Sequence, residues 1–226
     1  MVESDLPMGI LPLGTANNLA QNLHIPFDPA KAVVTFLQKR TLTIPLGRVN
    51  GELFFNTAHI GKGAGLFLKL QENKKKTWGQ LIFLPVLVQM LFSTIPKVYH
   101  ITCDQEENKI RAVQLTVVNG SYISGHLRIA PEEIIAHNKL DLYVMKKLNP
   151  YLILRHLPSL QRGEHPRIDQ GLFTSCRKVM VSCNSKTLVV ADGEPATKTP
   201  ATFELLDRAL TVHVSHQFAD QTQGRI

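Results

Sequence analysis

Two carboxylates stand two residues apart near the end of the chain, in Ala191-Asp192-Gly193-Glu194-Pro195. Such a pair can reach a magnesium ion directly or through water, and one member can take a proton from a hydroxyl. The same Asp-Gly-Glu tripeptide is also an ordinary polar hairpin turn. A second cluster lies near the start, from Gly9 through Leu13-Gly14-Thr15-Ala16-Asn17-Asn18 to Ala20. Glycine lets backbone approach a ligand closely, and a threonine hydroxyl with free N–H groups at a helix start can hold phosphate. A bare Gly-Thr ahead of a helix is equally a cap. The third cluster, His59-Ile60-Gly61-Lys62-Gly63-Ala64-Gly65, is a glycine-rich turn that fits neither the Walker pattern nor GxGxxG.

These residues need elements to hold them. Met8 to Leu13 is short and apolar, suits a buried strand, and runs into Gly14-Thr15, after which Ala16 to Leu23 reads as a helix. A second helix has Asp28 as cap, Pro29 at its first position, and Ala32, Val33, Phe36 and Leu37 on one face, with Lys39 and Arg40 at its end. The pattern then turns to strands. Thr41–Val49 and Glu52–Ala58 flank Asn50-Gly51, a hairpin signal because both positions accept positive φ. Lys97–Cys103 with Ala112–Val118 reads as another antiparallel pair. Further strands are expected at Leu140–Met145, Lys178–Cys183, Thr187–Val190, Thr202–Leu206 and Leu210–Val214. Asn149-Pro150 opens a short helix through Leu160. The most apolar stretch, Leu81 to Phe92, is broken by Pro85 and Gln89 and is shorter than the roughly 20 residues of a spanning helix, so it reads as a core or cleft-lining helix. Many short strands with few helices predict a mainly β domain, a sandwich or barrel.

Composition narrows the partners. The 226 residues carry a formal charge of +7, which points to something anionic: a nucleotide, a membrane surface or nucleic acid. No nucleic-acid-binding motif is present, which disfavours the last. The run Lys74-Lys75-Lys76 beside Trp78 suits transient peripheral contact with an anionic membrane, or simply a solvated loop. Cys103, Cys176 and Cys183 form an odd, widely spaced set, so neither a disulfide nor a zinc site is expected, and a reducing cytoplasm is the simpler home. The opening residues lack the charged and apolar regions of a signal peptide. Oligomeric state is not encoded in any of these features.

The ordered set of motifs resembles the diacylglycerol kinase catalytic family, which includes bacterial lipid kinases and sphingosine and ceramide kinases. The run from Gly9 to Pro26 resembles the family's GTxND segment. In family order follow Gly47-Arg48-Val49-Asn50-Gly51, Phe55-Asn56, Ile60-Gly61, Lys76 with Gly79, Val118-Asn119-Gly120, Ala130-Pro131, Leu140-Asp141 and Asp192-Gly193-Glu194. The resemblance spans about Met8 to Val214.

It implies a two-domain kinase with its active site in a cleft, ATP and Mg²⁺ as cofactors, and a lipid acceptor such as diacylglycerol or a sphingoid base. Carried over by position, Gly14, Thr15 and Asn17 lie near the nucleotide, and Asp192 and Glu194 are the catalytic acidic pair beside the transferred phosphate and its magnesium. Residues 1–40 would be a remnant of the nucleotide-binding α/β domain, 41–216 the β-sandwich lipid-acceptor domain, and 217–226 a flexible tail. Asn18 stands where the family has Asp, and Pro45 stands where an acidic residue is common. Ala136-His137-Asn138 and Ser124-Gly125-His126 also depart from the pattern. No GGDGT loop precedes Gly14, so these residues alone are expected to be inactive. The rival expectations are a non-catalytic lipid-binding or regulatory module and an NAD kinase relative.

Overall fold

The computed structural model describes residues 2, 6–14, 17–61, 64, 95–119, 122–123, 127–128, 139–146 and 171–223. Lys74–Lys76, Trp78, Leu81–Phe92 and the helix expected after Asn149 lie outside the described residues.

Two short helices open the chain, α1 (Asn18–Asn22) and α2 (Pro29–Leu37). They are followed by β1 (Thr41–Val49), β2 (Glu52–Phe54), β3 (Thr57–Gly61), β4 (Lys97–Cys103), β5 (Glu106–Ala112), β6 (Gln114–Val118), β7 (Tyr122–Ile123) and β8 (Leu127–Arg128). Then come β9 (Leu140–Met145), β10 (Gly171–Cys176), β11 (Lys178–Cys183), β12 (Leu188–Ala191), β13 (Glu194–Lys198), β14 (Ala201–His213) and α3 (His216–Gln223). Two antiparallel six-stranded sheets result, in the orders β2-β1-β14-β11-β4-β5 and β10-β9-β6-β3-β12-β13. The fold is mainly β, as predicted.

Each sheet turns one face inward. Val49, Phe54, Tyr99, Val181 and Phe203 from the first sheet meet Ile60, Leu115, Val117, Leu142 and Val189 from the second, all nearly or fully buried in one core. A second core lies at the other end of β1 and β14. There Leu42, Ile44, Leu46, Leu210 and Val212 pack with Ala20 of α1, Leu23 and Ile25 of the link that follows it, Ala32 of α2, and Phe218 and Ala219 of α3. Within α3 it is Phe218 and Ala219 that are buried in this core.

Local chemistry explains the turns. Asp28 caps α2 by accepting from the N–H groups of Ala30 and Lys31, as its position ahead of Pro29 predicts. Asn50 and Gly51 both have positive φ (47° and 98°), which the β1–β2 hairpin requires. Gly47 is needed for packing: a Cβ there would stand 2.1 Å from the buried Phe54 ring.

The structure corrects several expectations. The strand expected over Glu52–Ala58 is two strands in different sheets, β2 and β3, because the chain crosses between layers at Phe55-Asn56. The partner of β4 is β5, while β6 belongs to the second sheet. Thr202–Leu206 and Leu210–Val214 merge into the single strand β14, whose register against β1 slips between Ile44 and Leu46. The cause is Pro45, which has no N–H to give to the ladder, and opposite it β14 bulges with Arg208 at φ 49°. On α2 the buried residues are Ala32 and Thr35, whereas Val33 and Leu37 face out. Met8 makes only an isolated parallel bridge to Val212, and Gly9 to Leu13 is not a strand.

The cysteine expectation also fails. Cys103 on β4 and Cys176 on β10 form a disulfide with Cα atoms 5.8 Å apart, joining the two sheets. Their sequence separation of 73 carries no spacing signal, and only the stacking of the layers brings them together. Closing a loop of that length is worth about 4 kcal/mol in the chain-entropy model. The reducing-compartment reading loses the support it drew from free thiols.

Candidate functional site

The crossing from β2 to β3 takes Phe55, Asn56 and Thr57 out of one sheet and into the other, where ladder partners are lacking. Asp192 supplies them. Its Oδ2 accepts from the Phe55 N–H at 2.5 Å, and its Oδ1 accepts from Asn56 and Thr57 at 3.0 Å each. The Asp192 N–H in turn donates to the Thr57 carbonyl. Asn119, at the end of β6, covers the remaining carbonyls: its N–H donates to Asn56, and its Nδ2 donates to Phe55 and to Pro45. Every backbone polar group of the crossover is thus satisfied by two residues from distant strands.

Asp192 itself sits in the β12–β13 hairpin. Its φ of 46° and Gly193's of 92° are the paired positive values of that turn. The hairpin reading and the site reading of Asp-Gly-Glu therefore coexist. Asp192 keeps solvent-facing surface as a residue, but its carboxylate end lies against the 55–57 backbone. Burial pushes this carboxyl above the usual aspartate range. The three N–H donors pull it down, and the neighbouring Glu194 charge pushes it up again, with a net rise. Glu194 is exposed at the start of β13.

The start of the chain reaches the same crossover. Buried Asn22, on the last turn of α1, donates from Nδ2 to Oδ1 of buried Asn56 at 3.3 Å. A hydrogen-bonded path therefore runs from α1 through the crossover to Asp192. Asn17 is engaged differently. It sits at φ 47° and its side chain folds back, accepting from the Gly14 N–H at 2.8 Å and donating to the carbonyls of Pro12 and Gly14. It closes the turn ahead of α1 and does not cap the helix. Gly14 is exposed there, and Thr15 lies outside the described residues. No hydrogen bond joins Gly14 or Asn17 to Asp192 or Glu194 among the described residues.

His59, expected in a glycine-rich turn, lies inside β3 and is buried among Thr57, Thr116 and Gln114. Burial lowers its pKa to about 4. Asn119 and Asn22 are the residues whose importance sequence reasoning missed. Asn119 was visible as part of the Val118-Asn119-Gly120 match, with no sign in the sequence that its side chain serves the crossover.

A magnesium ion can be tested against this donor set. A carboxylate has about four acceptor positions. Three of those on Asp192 are taken by N–H groups, so it does not fit as a bidentate ligand and keeps one position for a hydroxyl or a water. Glu194 fits better, since magnesium is commonly held by one or two carboxylates together with substrate phosphates. Among the described residues no group of three or more His, Cys, Asp or Glu is arranged to hold a metal.

Residues 60–214 match the model described as YegS C-terminal NAD kinase beta sandwich-like domain. The chain belongs to that family. Residues 1–49 match the diacylglycerol kinase catalytic domain, which agrees with the resemblance read from the motifs. The diacylglycerol kinase of Bacillus subtilis is 29% identical over 217 residues, covering 95% of this chain and 71% of that protein. The Staphylococcus haemolyticus enzyme of the same name is 24% identical over 206 residues, covering 91% and 62%. The chain thus spans about two thirds of the length of such relatives. A diacylglycerol kinase crystal structure from Bacillus anthracis superposes with a TM-score of 0.69 at 17% identity, covering 96% of this chain and 71% of that one, and shares its fold. Another structure from the same organism gives 0.75 at 19%, covering 96% and 73%. Among the described residues no helix is long and apolar enough to cross a membrane.

Two outcomes are expected. Asp192→Asn replaces an acceptor oxygen with a donor facing backbone N–H groups, so at least one N–H of the clamp loses a charge-assisted partner and stability falls by about 1 kcal/mol or more. Glu194→Gln at an exposed position leaves the Tm unchanged. Urea unfolding of both variants checks this, and equal stabilities would contradict the clamp. The second concerns His59, whose folded pKa of about 4 lies below the unfolded 6.5. The folded state then binds fewer protons between these values, and stability is lost as pH falls from about 6.5 to about 4, by about 3 kcal/mol. In His59→Gln this part of the slope disappears; an unchanged pH profile would show that His59 is not its source.

Proposed function

We propose that these residues form the acceptor side of an ATP-dependent lipid kinase, which transfers the γ-phosphoryl group of ATP to a lipid hydroxyl such as that of diacylglycerol or a sphingoid base. The observation that carries this reading is the single acceptor position left on a clamped, ionisable Asp192, with Glu194 outward beside it and α1 of the GTxN segment tied to the same crossover through Asn22 and Asn56.

In phosphoryl transfer the protein mainly positions groups and balances charge. Asp192, held rigid by three N–H bonds, accepts the proton of the lipid hydroxyl at its remaining acceptor position, and the hydroxyl oxygen attacks the γ-phosphorus as the bond to the β–γ bridging oxygen breaks and ADP leaves. Burial raises this carboxyl above the ordinary aspartate value, which makes its carboxylate a stronger base than an exposed one. Glu194 would hold magnesium together with the nucleotide, and the ion would supply charge neutralisation at the phosphates. Gly14 and Asn17 belong to the nucleotide side in this reading, with Asn17 fixing the shape of the turn, and the motif assigns Thr15 to the same group. The acceptor is presented from a membrane surface by transient contact, and no nucleic acid takes part.

Radiolabel from γ-phosphate-labelled ATP, followed into dioctanoylglycerol or sphingosine in mixed micelles, tests the reading. These 226 residues alone are expected to give no labelled lipid. Joined to the nucleotide-binding part of a diacylglycerol kinase relative, they are expected to give it. Glu194→Gln should then lower the rate by about a hundredfold or more. No label in either form sinks the kinase reading and leaves a lipid-binding module. Label from the chain alone, abolished by Asp192→Asn, would show that no upstream loop is required.

A further inference from the structure

The open acceptor position of the Asp192 carboxylate belongs to one particular oxygen. Each carboxylate oxygen has about two acceptor positions. Oδ1 already accepts from Asn56 and Thr57, whereas Oδ2 accepts only from Phe55. The open position is therefore on Oδ2. Of the three N–H bonds, the one from Phe55 is exposed and the other two are partly buried, so Oδ2 is also the oxygen on the solvent side.

Phe55 is then the neighbour of whatever docks there. Its N–H group lies 2.5 Å from Oδ2, and its Cβ is two bonds from that nitrogen, so the Cβ stands within about 5 Å of the oxygen. The Phe55 backbone is held at both of its polar groups, the N–H by Asp192 and the carbonyl by Asn119. Its ring thus springs from a fixed point. Phe55 is 36% exposed and Leu53 41% exposed, while Phe54 between them is fully buried. Scattered apolar residues on a surface are ordinary. This pair differs in its place, because the carbon skeleton behind a hydroxyl bound at Oδ2 lies within reach of it.

We propose that Phe55, with Leu53 beside it, is the specificity-determining residue of the acceptor site. It takes the hydrocarbon that lies within a few atoms of the hydroxyl bound at Asp192 Oδ2, so that an acyl-bearing alcohol is held and a bare polyol is not. Apolar contact of this kind discriminates through the area it removes from water, and a polyol offers little such area. The inference rests on the acceptor reading above, but it concerns binding and is tested without phosphoryl transfer.

An NMR titration of the 226-residue chain with dihexanoylglycerol, and with glycerol as control, follows the Asp192 carboxyl carbon and the Phe55 ring. Dihexanoylglycerol is expected to shift both signals together, with a Kd of about 1 mM or tighter, and the ring to show nuclear Overhauser contacts to the acyl methylenes. Glycerol at the same concentrations moves neither. Phe55→Ser keeps the backbone N–H, so the Tm and the Asp192 titration midpoint stay where they are while the affinity falls by about tenfold. Phe55→Leu, which restores an apolar side chain, brings the affinity back to within about threefold. Equal shifts with glycerol, binding that leaves the Asp192 carbon flat, no saturable binding, or an affinity indifferent to Phe55→Ser each overturns the inference. Its failure is separable from that of the kinase reading. Joint shifts without any labelled lipid in the phosphoryl-transfer assay remove the kinase and keep the contact, whereas labelled lipid with an affinity indifferent to Phe55→Ser does the reverse.

Discussion

The carboxylate of Asp192 against the N–H groups of Phe55, Asn56 and Thr57 is the contact on which the arrangement of the two sheets depends. A chain that leaves one sheet for another must abandon its ladder bonds, and buried backbone groups without partners cost about 1–3 kcal/mol each. A hairpin turn from β12–β13 and an asparagine from β6 meet that need together, so three segments far apart in sequence are fixed at one point. Fixing a carboxylate in this way also fixes where its last acceptor position points. The side chain that meets the fold requirement is also the one that offers the acceptor position the proposed reaction needs.

The long strands β1 and β14 extend the effect. One end of the pair lies in the core between the sheets and the other in the core beneath α1, α2 and α3. Pro45 breaks the ladder between the two, and Asn119 takes its carbonyl. Pro45 is thus part of the seam between the cores. Asn22 joins α1 to the same seam, so a shift of the N-terminal helices is felt at the Asn56 backbone. The mechanical link between the two ends of the motif set is a short run of buried amides.

Much of the fold was legible because local chemistry agreed with the final state. Asp28 ahead of Pro29 marked α2, and Asn50-Gly51 marked the first hairpin. The β1, β4, β9 and β11 boundaries followed alternation and β-branched content. What stayed hidden was long-range: the sheet change after Phe54, the bulge that joins β14 into one strand, and the pairing of Cys103 with Cys176. Periodicity reports a buried face but not which layer buries it. At the site, the acidic pair was visible as a motif, whereas the clamp on Asp192 and the part played by Asn119 depend on strand pairings that no local pattern encodes.

The most direct measurement of the central claim is a pH titration by NMR that follows the Asp192 side-chain carboxyl carbon together with the backbone amide protons of Phe55, Asn56 and Thr57. The account predicts that all four titrate together, with one midpoint above the usual aspartate range, because protonating the carboxylate weakens all three N–H bonds at once. Amide shifts that stay flat while Asp192 titrates, or a midpoint at or below the ordinary aspartate value, would contradict it.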